Sequence, residues 1–149
     1  MTYIKKHWES NVTPLSADNM NNIENGIEEN KNNLTPVSWT TYSIYNYQQT
    51  DAGANFVWVI GKICIFSISF MKAGDTKMED TQVFVQGMPK PAHDMFGTGT
   101  LLHGSATEAF KFKIAAVENS GVIRNWYSGA NTYTYNNQPV TVSGMYVIE

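Results

Sequence analysis

The segment Arg124-Asn125-Trp126-Tyr127-Ser128-Gly129 sets the chain's only arginine beside two neighbouring aromatic rings, just ahead of a stretch rich in Gly and Asn. Groups of this kind suit sugars. Rings stack on the apolar faces of pyranoses, and planar amide, carboxylate or guanidinium groups bond pairs of hydroxyls in bidentate fashion. A second candidate is His93-Asp94, which follows Pro89-Lys90-Pro91-Ala92 in a loop from which both could reach a ligand. Each of these has a plainer reading. Arg124 also fits a surface or subunit salt bridge, Trp126 fits a core position, and His93-Asp94 fits a solvated turn. Lys111 and Lys113 alternate with Phe110, Phe112 and Ile114, so in a strand they would form its wet face.

Catalytic chemistry is poorly represented. His7, His93 and His103 are far apart and lack metal-ligand spacing. Cys64 lies in an apolar run and reads as an inert core thiol. There is no Gly-x-Ser-x-Gly elbow and no phosphate-binding loop. Asp94 and Glu108 form the only carboxylate pair near a plausible site, and nothing around them marks a glycosidase. We therefore expect no catalytic residues, no metal, no cofactor and no enzymatic activity.

Composition narrows the partners. Of 149 residues, 42% are hydrophobic and 13% aromatic, too many for a disordered chain, yet only 15% are charged. Uncharged polar residues, chiefly Asn, Thr, Ser and Tyr, replace the missing charge. A net charge of −3 provides no footprint for a phosphate backbone, which argues against nucleic acid. The longest apolar run, between Asn55 and Met71, is interrupted by Gly61, Lys62, Ser67 and Ser69, so no membrane insertion is expected. Residues Met1 to Trp8 lead into polar sequence and lack a signal-peptide core. One cysteine cannot build an intrachain disulfide framework.

These side chains must be positioned by two regions of different character. Residues 1–36 are rich in Asn and Glu. Ser16 reads as a helix N-cap, with Asp18 in the first turn favoured by the helix dipole and Pro36 as terminator. Met20, Ile23, Ile27, Asn30 and Leu34 follow at spacings of three, four, three and four, the a/d pattern of a coiled coil. So narrow a seam on so short a helix needs a partner. The seam could dock on the rest of the chain, or it could self-associate, in which case Ile at neighbouring a and d positions leans toward trimers and Asn30 fixes register. Gly26 weakens both readings and could cap a shorter helix after Asn25.

Residues 37–149 read as strands: Val37–Tyr47, a hairpin of 55–60 and 62–72 turning at Gly61, then 81–86, 109–117, 121–127 and 139–148. In the hairpin's second arm Cys64, Phe66, Ile68 and Phe70 share one face, opposite Ile63, Ile65 and Ser67. The fold expected is mainly β: a short N-terminal helix followed by an antiparallel β-sandwich or β-barrel head.

The stretch from Trp8 and Asn11 to Ile27, with Thr13-Pro14-Leu15-Ser16-Ala17-Asp18-Asn19-Met20-Asn21-Asn22-Ile23-Glu24-Asn25-Gly26-Ile27, resembles a motif at the N-termini of tail and baseplate proteins from phages of Gram-positive bacteria. There it reads roughly Trp, a gap, then Thr-Pro-Leu-Asn-Ala-Asp-Asn-Leu-Asn-x-Ile/Met-Glu-x-Gly-Ile. Ser16 replaces the frequent Asn, and both cap helices. Gly87-Met88-Pro89-Lys90-Pro91, and Ser120-Gly121-Val122-Ile123 through Trp126 to Gly144-Met145-Tyr146-Val147-Ile148-Glu149, resemble the heads of lactococcal and streptococcal phage receptor-binding proteins.

The resemblance implies a homotrimer in the virion's tail tip or baseplate. Its N-terminal segment would join other baseplate or tail proteins, and its head would bind a host cell-wall saccharide, often near a subunit interface. Sites in that family use a Trp with acidic, His and Arg partners. Trp126 matches the Trp after the Ser-Gly-Val turn, and it joins Arg124, Tyr127, His93, Asp94, Lys111 and Lys113, named above for their residue types and positions, as the ligand-binding candidates. The strand where relatives carry His and Asp holds Lys111 and Lys113 here, so the ligand's identity does not carry over. A structural tail adaptor that touches no receptor, and a carbohydrate-binding module of a lytic enzyme, are the alternatives; such a module usually accompanies a catalytic domain.

Overall fold

Ser16 starts the first element as its sequence requires. Its backbone is extended, and its hydroxyl accepts from the Asn19 N–H at 3.3 Å, opening α1 (Ala17–Leu34). Asp18 sits in the first turn and Lys31 in the last, each matching the helix dipole. Thr35 closes the helix, donating its hydroxyl to the Lys31 carbonyl at 2.7 Å, one residue before Pro36. Gly26 lies inside α1 and does not cap a shorter helix after Asn25. No residue of α1 is buried; on the expected seam Ile23 is half-buried and Met20, Ile27, Asn30 and Leu34 are exposed.

The structure is a computed structural model that describes residues 16–45, 48–49, 55–71, 76–77, 81–103, 106–126, 134–135 and 139–149. It divides into two compact units, Met1–Thr35 and Pro36–Glu149. Trp8 and residues 11–15 of the tail motif, with Tyr127, lie outside the described residues. Among the described residues no helix is long and apolar enough to cross a membrane.

The second unit holds β1 (Val37–Ser38), β2 (Ser43–Ile44), β3 (Gln48–Gln49), β4 (Phe56–Ile60), β5 (Ile63–Met71), β6 (Thr76–Lys77), β7 (Val83–Met88), β8 (Met95–His103), β9 (Ala106–Val117), β10 (Ser120–Asn125), β11 (Thr134–Tyr135) and β12 (Pro139–Val147). Ten of these form one antiparallel sheet in the order β1-β4-β5-β12-β8-β9-β10-β7-β2, with β3 also on β5, while β6 and β11 pair separately. The sheet curls into a half-barrel, so it is one continuous surface rather than the two facing sheets of a sandwich.

The expected hairpin is present: β4 and β5 pair from Phe56↔Ser67 to Ile60↔Ile63 around Gly61, whose φ is 56°. Val37–Tyr47 is not one strand. It divides into β1 on β4 and β2 on β7, so residues 39–42 join the two ends of the sheet. Trp39 fastens those ends. Its backbone N–H donates to Val57 in β4, and its indole N–H donates to the Gly87 carbonyl in β7, both at 2.8 Å.

The concave face buries Phe66, Ile68, Phe70, Phe84, Phe112, Ile114, Ile123 and Val142. Phe66 meets the rings of Phe112 and Tyr146 edge-on at 6.3 and 6.0 Å, and Phe84 meets Phe110 at 5.8 Å, geometry that favours aromatic pairs. One strand of this face, β8, is absent from the sequence expectation. Its inward positions include Gly97 and Gly99, which pair with Phe112 and Phe110 on β9. The two rings lie directly over those glycines, where any Cβ would collide with them. Glycine here makes room for the neighbouring strand's aromatic rings, which removes the apolar alternation that would announce a strand.

Cys64 is fully buried and faces Tyr146 across β5 and β12. Burial pushes the thiol's pKa up, partly offset by the Tyr146 hydroxyl, and burial above all pushes Tyr146 up as well. Both groups fold in their neutral forms, so their contribution is complete below the unfolded values near 9 and 10. It is lost as pH rises beyond them, because only the unfolded chain ionises readily there. The denaturation midpoint of residues 36–149 should therefore fall above about pH 9. Native protein should also resist a thiol reagent that labels Cys64 fully in denaturant; rapid labelling of native protein would contradict this burial.

Candidate functional site

Register places the sequence-predicted residues on one face. Lys113 of β9 stands between Phe96 of β8 and Arg124 of β10, each directly opposite it. Residues opposite one another across strands share a face, as do residues two apart along one strand. This is the convex face, since Phe112 and Ile114 point into the core. Lys111 is exposed on the same side, and the Trp126 N–H donates to the Lys111 carbonyl at 2.9 Å, which carries the chain past β10 with Trp126 beside the lysines.

The side chains then converge. Phe96 and Trp126 meet edge to face at 5.2 Å. The Lys113 ammonium lies 5.0 Å from the Trp126 ring centre and 5.5 Å from that of Phe96. It also forms an ion pair with the Asp94 carboxylate. Phe96 is 55% exposed and Trp126 36%, so the cluster is open to solvent on one side while Lys113 is largely enclosed. Among the described residues, Arg124 Nε is buried without a hydrogen-bond partner, an unusual state for a donor.

Asp94 is held in place by a loop that is fastened at several points. The buried Tyr146 hydroxyl donates to the Pro89 carbonyl at 2.8 Å. The N–H groups of Ala92 and Glu149 donate to Val147 and Lys90, and Lys90 pairs with the Glu149 carboxylate at 2.7 Å. His93 is exposed beside Asp94 in that loop. The sequence reading thus comes together at Asp94, Lys113, Arg124 and Trp126, with Lys111 and His93 at the margin. It lacks Phe96. The available signal was the alternation Met95-Phe96-Gly97-Thr98-Gly99-Thr100, whose odd positions are weakened by glycine.

A second surface is purely apolar. On the convex side of β4, β5 and β12, Trp58, Ile65 and Met145 form one row across the strands, and Ile60, Ile63 and Val147 form the next. Trp58 and Ile63 are 44% exposed, Val147 57% and Met145 65%, with Ile60 and Ile65 half-buried. Neither row contains a charged residue. Among the described residues no group of His, Cys, Asp and Glu is placed to hold a metal ion.

No protein-family model, no curated protein and no solved structure matches this chain.

Proposed function

We propose that this chain is a phage receptor-binding protein, a homotrimer at the tail tip or baseplate that recognises a cell-surface saccharide of a Gram-positive host. The observation that carries the reading is the convex cluster of Phe96, Trp126, Lys113, Asp94 and Arg124. Two partly exposed rings offer surfaces for the C–H face of a sugar. The ion pair and the guanidinium beside them supply charged donors and acceptors for its hydroxyls.

Two surfaces support self-association. The seam of α1 leaves Met20, Ile27 and Leu34 exposed, and contiguous apolar patches such as the one on β4, β5 and β12 are unusual on monomers. Residues 1–36 supply the attachment to other baseplate or tail proteins in this reading.

Two measurements test it. Sedimentation equilibrium at micromolar concentration should give three times the 16.7 kDa chain mass. Met145→Asp, which puts a charge on a side chain already 65% exposed, should weaken association at least about tenfold without lowering the head's denaturation midpoint at concentrations where both proteins are monomeric. A wild-type monomer rules out the trimer. Wild-type protein should also be retained on host cells, and failure to be retained would favour an adaptor that touches no receptor.

A further inference from the structure

The incomplete closure of the sheet creates a groove separate from the Trp126 cluster. Where β1 on β4 and β2 on β7 approach each other, residues 38–40, 42–44 and 55–58 line an open concavity of about 670 Å³. That is within the range of small-molecule sites, about 300–1,000 Å³. Trp39, Tyr42, Phe56 and Trp58 supply its rings, Thr40 and Ser43 supply hydroxyls, and no described lining residue is charged.

The walls are fixed before any ligand arrives. The Trp39 indole N–H is committed to Gly87, leaving its ring as a surface rather than a donor. Gly87 takes φ of 74°, and a Cβ there would stand 2.7 Å from the Thr41 carbonyl oxygen, so the two ends of the sheet approach closely only through glycine. Asn55 grips the Ser69 backbone through both ends of its amide, at 3.0 and 2.8 Å, which holds the start of β4. Phe56 and Trp58 pack against each other with ring centres 4.7 Å apart and planes 33° from parallel, forming one tilted aromatic floor. Trp58 is 44% exposed.

We infer that this groove is a binding site for a neutral saccharide, with a sugar ring lying on the Phe56–Trp58 floor and its hydroxyls facing Thr40, Ser43 and Tyr42. The absence of charge among the described lining residues disfavours phosphate, uronate or amine-bearing ligands. A purely apolar occupant would leave the hydroxyls of Thr40, Ser43 and Tyr42 without solvent, at a cost. The Tyr42 hydroxyl remains a donor through the neutral range, since burial raises its pKa. The inference does not depend on the Trp126 cluster being the receptor site.

Saturation-transfer NMR with cellobiose, maltose, lactose and methyl rhamnoside at millimolar concentration tests it. At least one should bind to the Trp126→Ala variant, in which the convex cluster is disabled. That signal should weaken at least tenfold when Trp58→Ala or Thr40→Trp is added, the latter filling the groove from an exposed position while leaving its four aromatic rings in place. Dispersed amide spectra establish that each variant is folded. Because Trp58 also borders the apolar face, Thr40→Trp separates loss of the groove from loss of association. The inference is overturned if none of the sugars binds Trp126→Ala, or if that binding survives when Thr40→Trp is added to it. It is equally overturned if the Trp39 indole signal shifts with protein concentration alone, which would assign the groove to a second copy of the chain.

Discussion

Gly97→Ala is expected to destabilise the head by about 1–3 kcal/mol, whereas in an ordinary strand the same change stabilises by roughly 0.5–1 kcal/mol. A Cβ at position 97 would land on the Phe112 ring, 2.8 Å from both Cε1 and Cε2. Phe112 is fully buried against Phe66, so the ring has nowhere to turn without displacing its neighbours. At Gly99 the same change would also meet the Thr141 carbonyl oxygen at 2.9 Å, and backbone yields less readily than a side-chain end. Truncating Phe112 alone should cost about 3–5 kcal/mol through the cavity it leaves. The two effects should not add. In the double variant the new methyl occupies space the ring has vacated, so the combined loss should fall short of the sum by at least about 0.5 kcal/mol. Urea denaturation of the single and double variants measures this, and strict additivity would show that the ring does not lie over the glycine.

Trp126→Ala should produce the largest effect on function. An aromatic anchor at the centre of a binding surface is typically worth about 2 kcal/mol or more, or roughly a thirtyfold loss of affinity. The substitution also removes the edge-to-face partner of Phe96 and one of the two rings over Lys113. Stability should change much less, because Trp126 lies beyond the end of β10 and is 36% exposed. Asp94→Asn should lower affinity more modestly. It frees the Lys113 ammonium from its ion pair, so that the cation no longer holds one position between the rings. The Asp94 side chain is about half exposed, so solvent screens the pair and the change acts on orientation more than on stability. Together the pattern separates a reading surface from a structural one: affinity falls steeply while the denaturation midpoint barely moves.

Much of this was readable from local pattern. Ser16, Asp18 and Pro36 bracket a helix because capping and termination depend on a few neighbouring residues. Alternation in 63–71 gave both the strand and its buried face, with Cys64 inside, and alternation in 109–117 put Lys111 and Lys113 outside. What local pattern could not give depends on residues distant in the chain. Met95–His103 carries glycine where a strand would show large apolar residues, because Phe110 and Phe112 fill that space from the next strand. Phe96 was lost from the candidate site with it. Val37–Tyr47 has strand composition throughout, yet it serves two strands at opposite ends of one sheet, a division set by closure of the half-barrel rather than by its own residues. The groove arises from that same closure. Its rings, from Trp39 and Tyr42 and from Phe56 and Trp58, come from segments that pairing alone brings together.

The most direct test of saccharide recognition at the convex cluster is calorimetric titration of a panel of purified Gram-positive cell-wall polysaccharides into wild-type protein, Trp126→Ala and Arg124→Ala. Wild type should bind at least one polysaccharide, and each variant, folded and in the same association state, should bind it at least tenfold more weakly. Equal binding by all three proteins, or no binding by wild type to any member of the panel, would contradict recognition at this cluster.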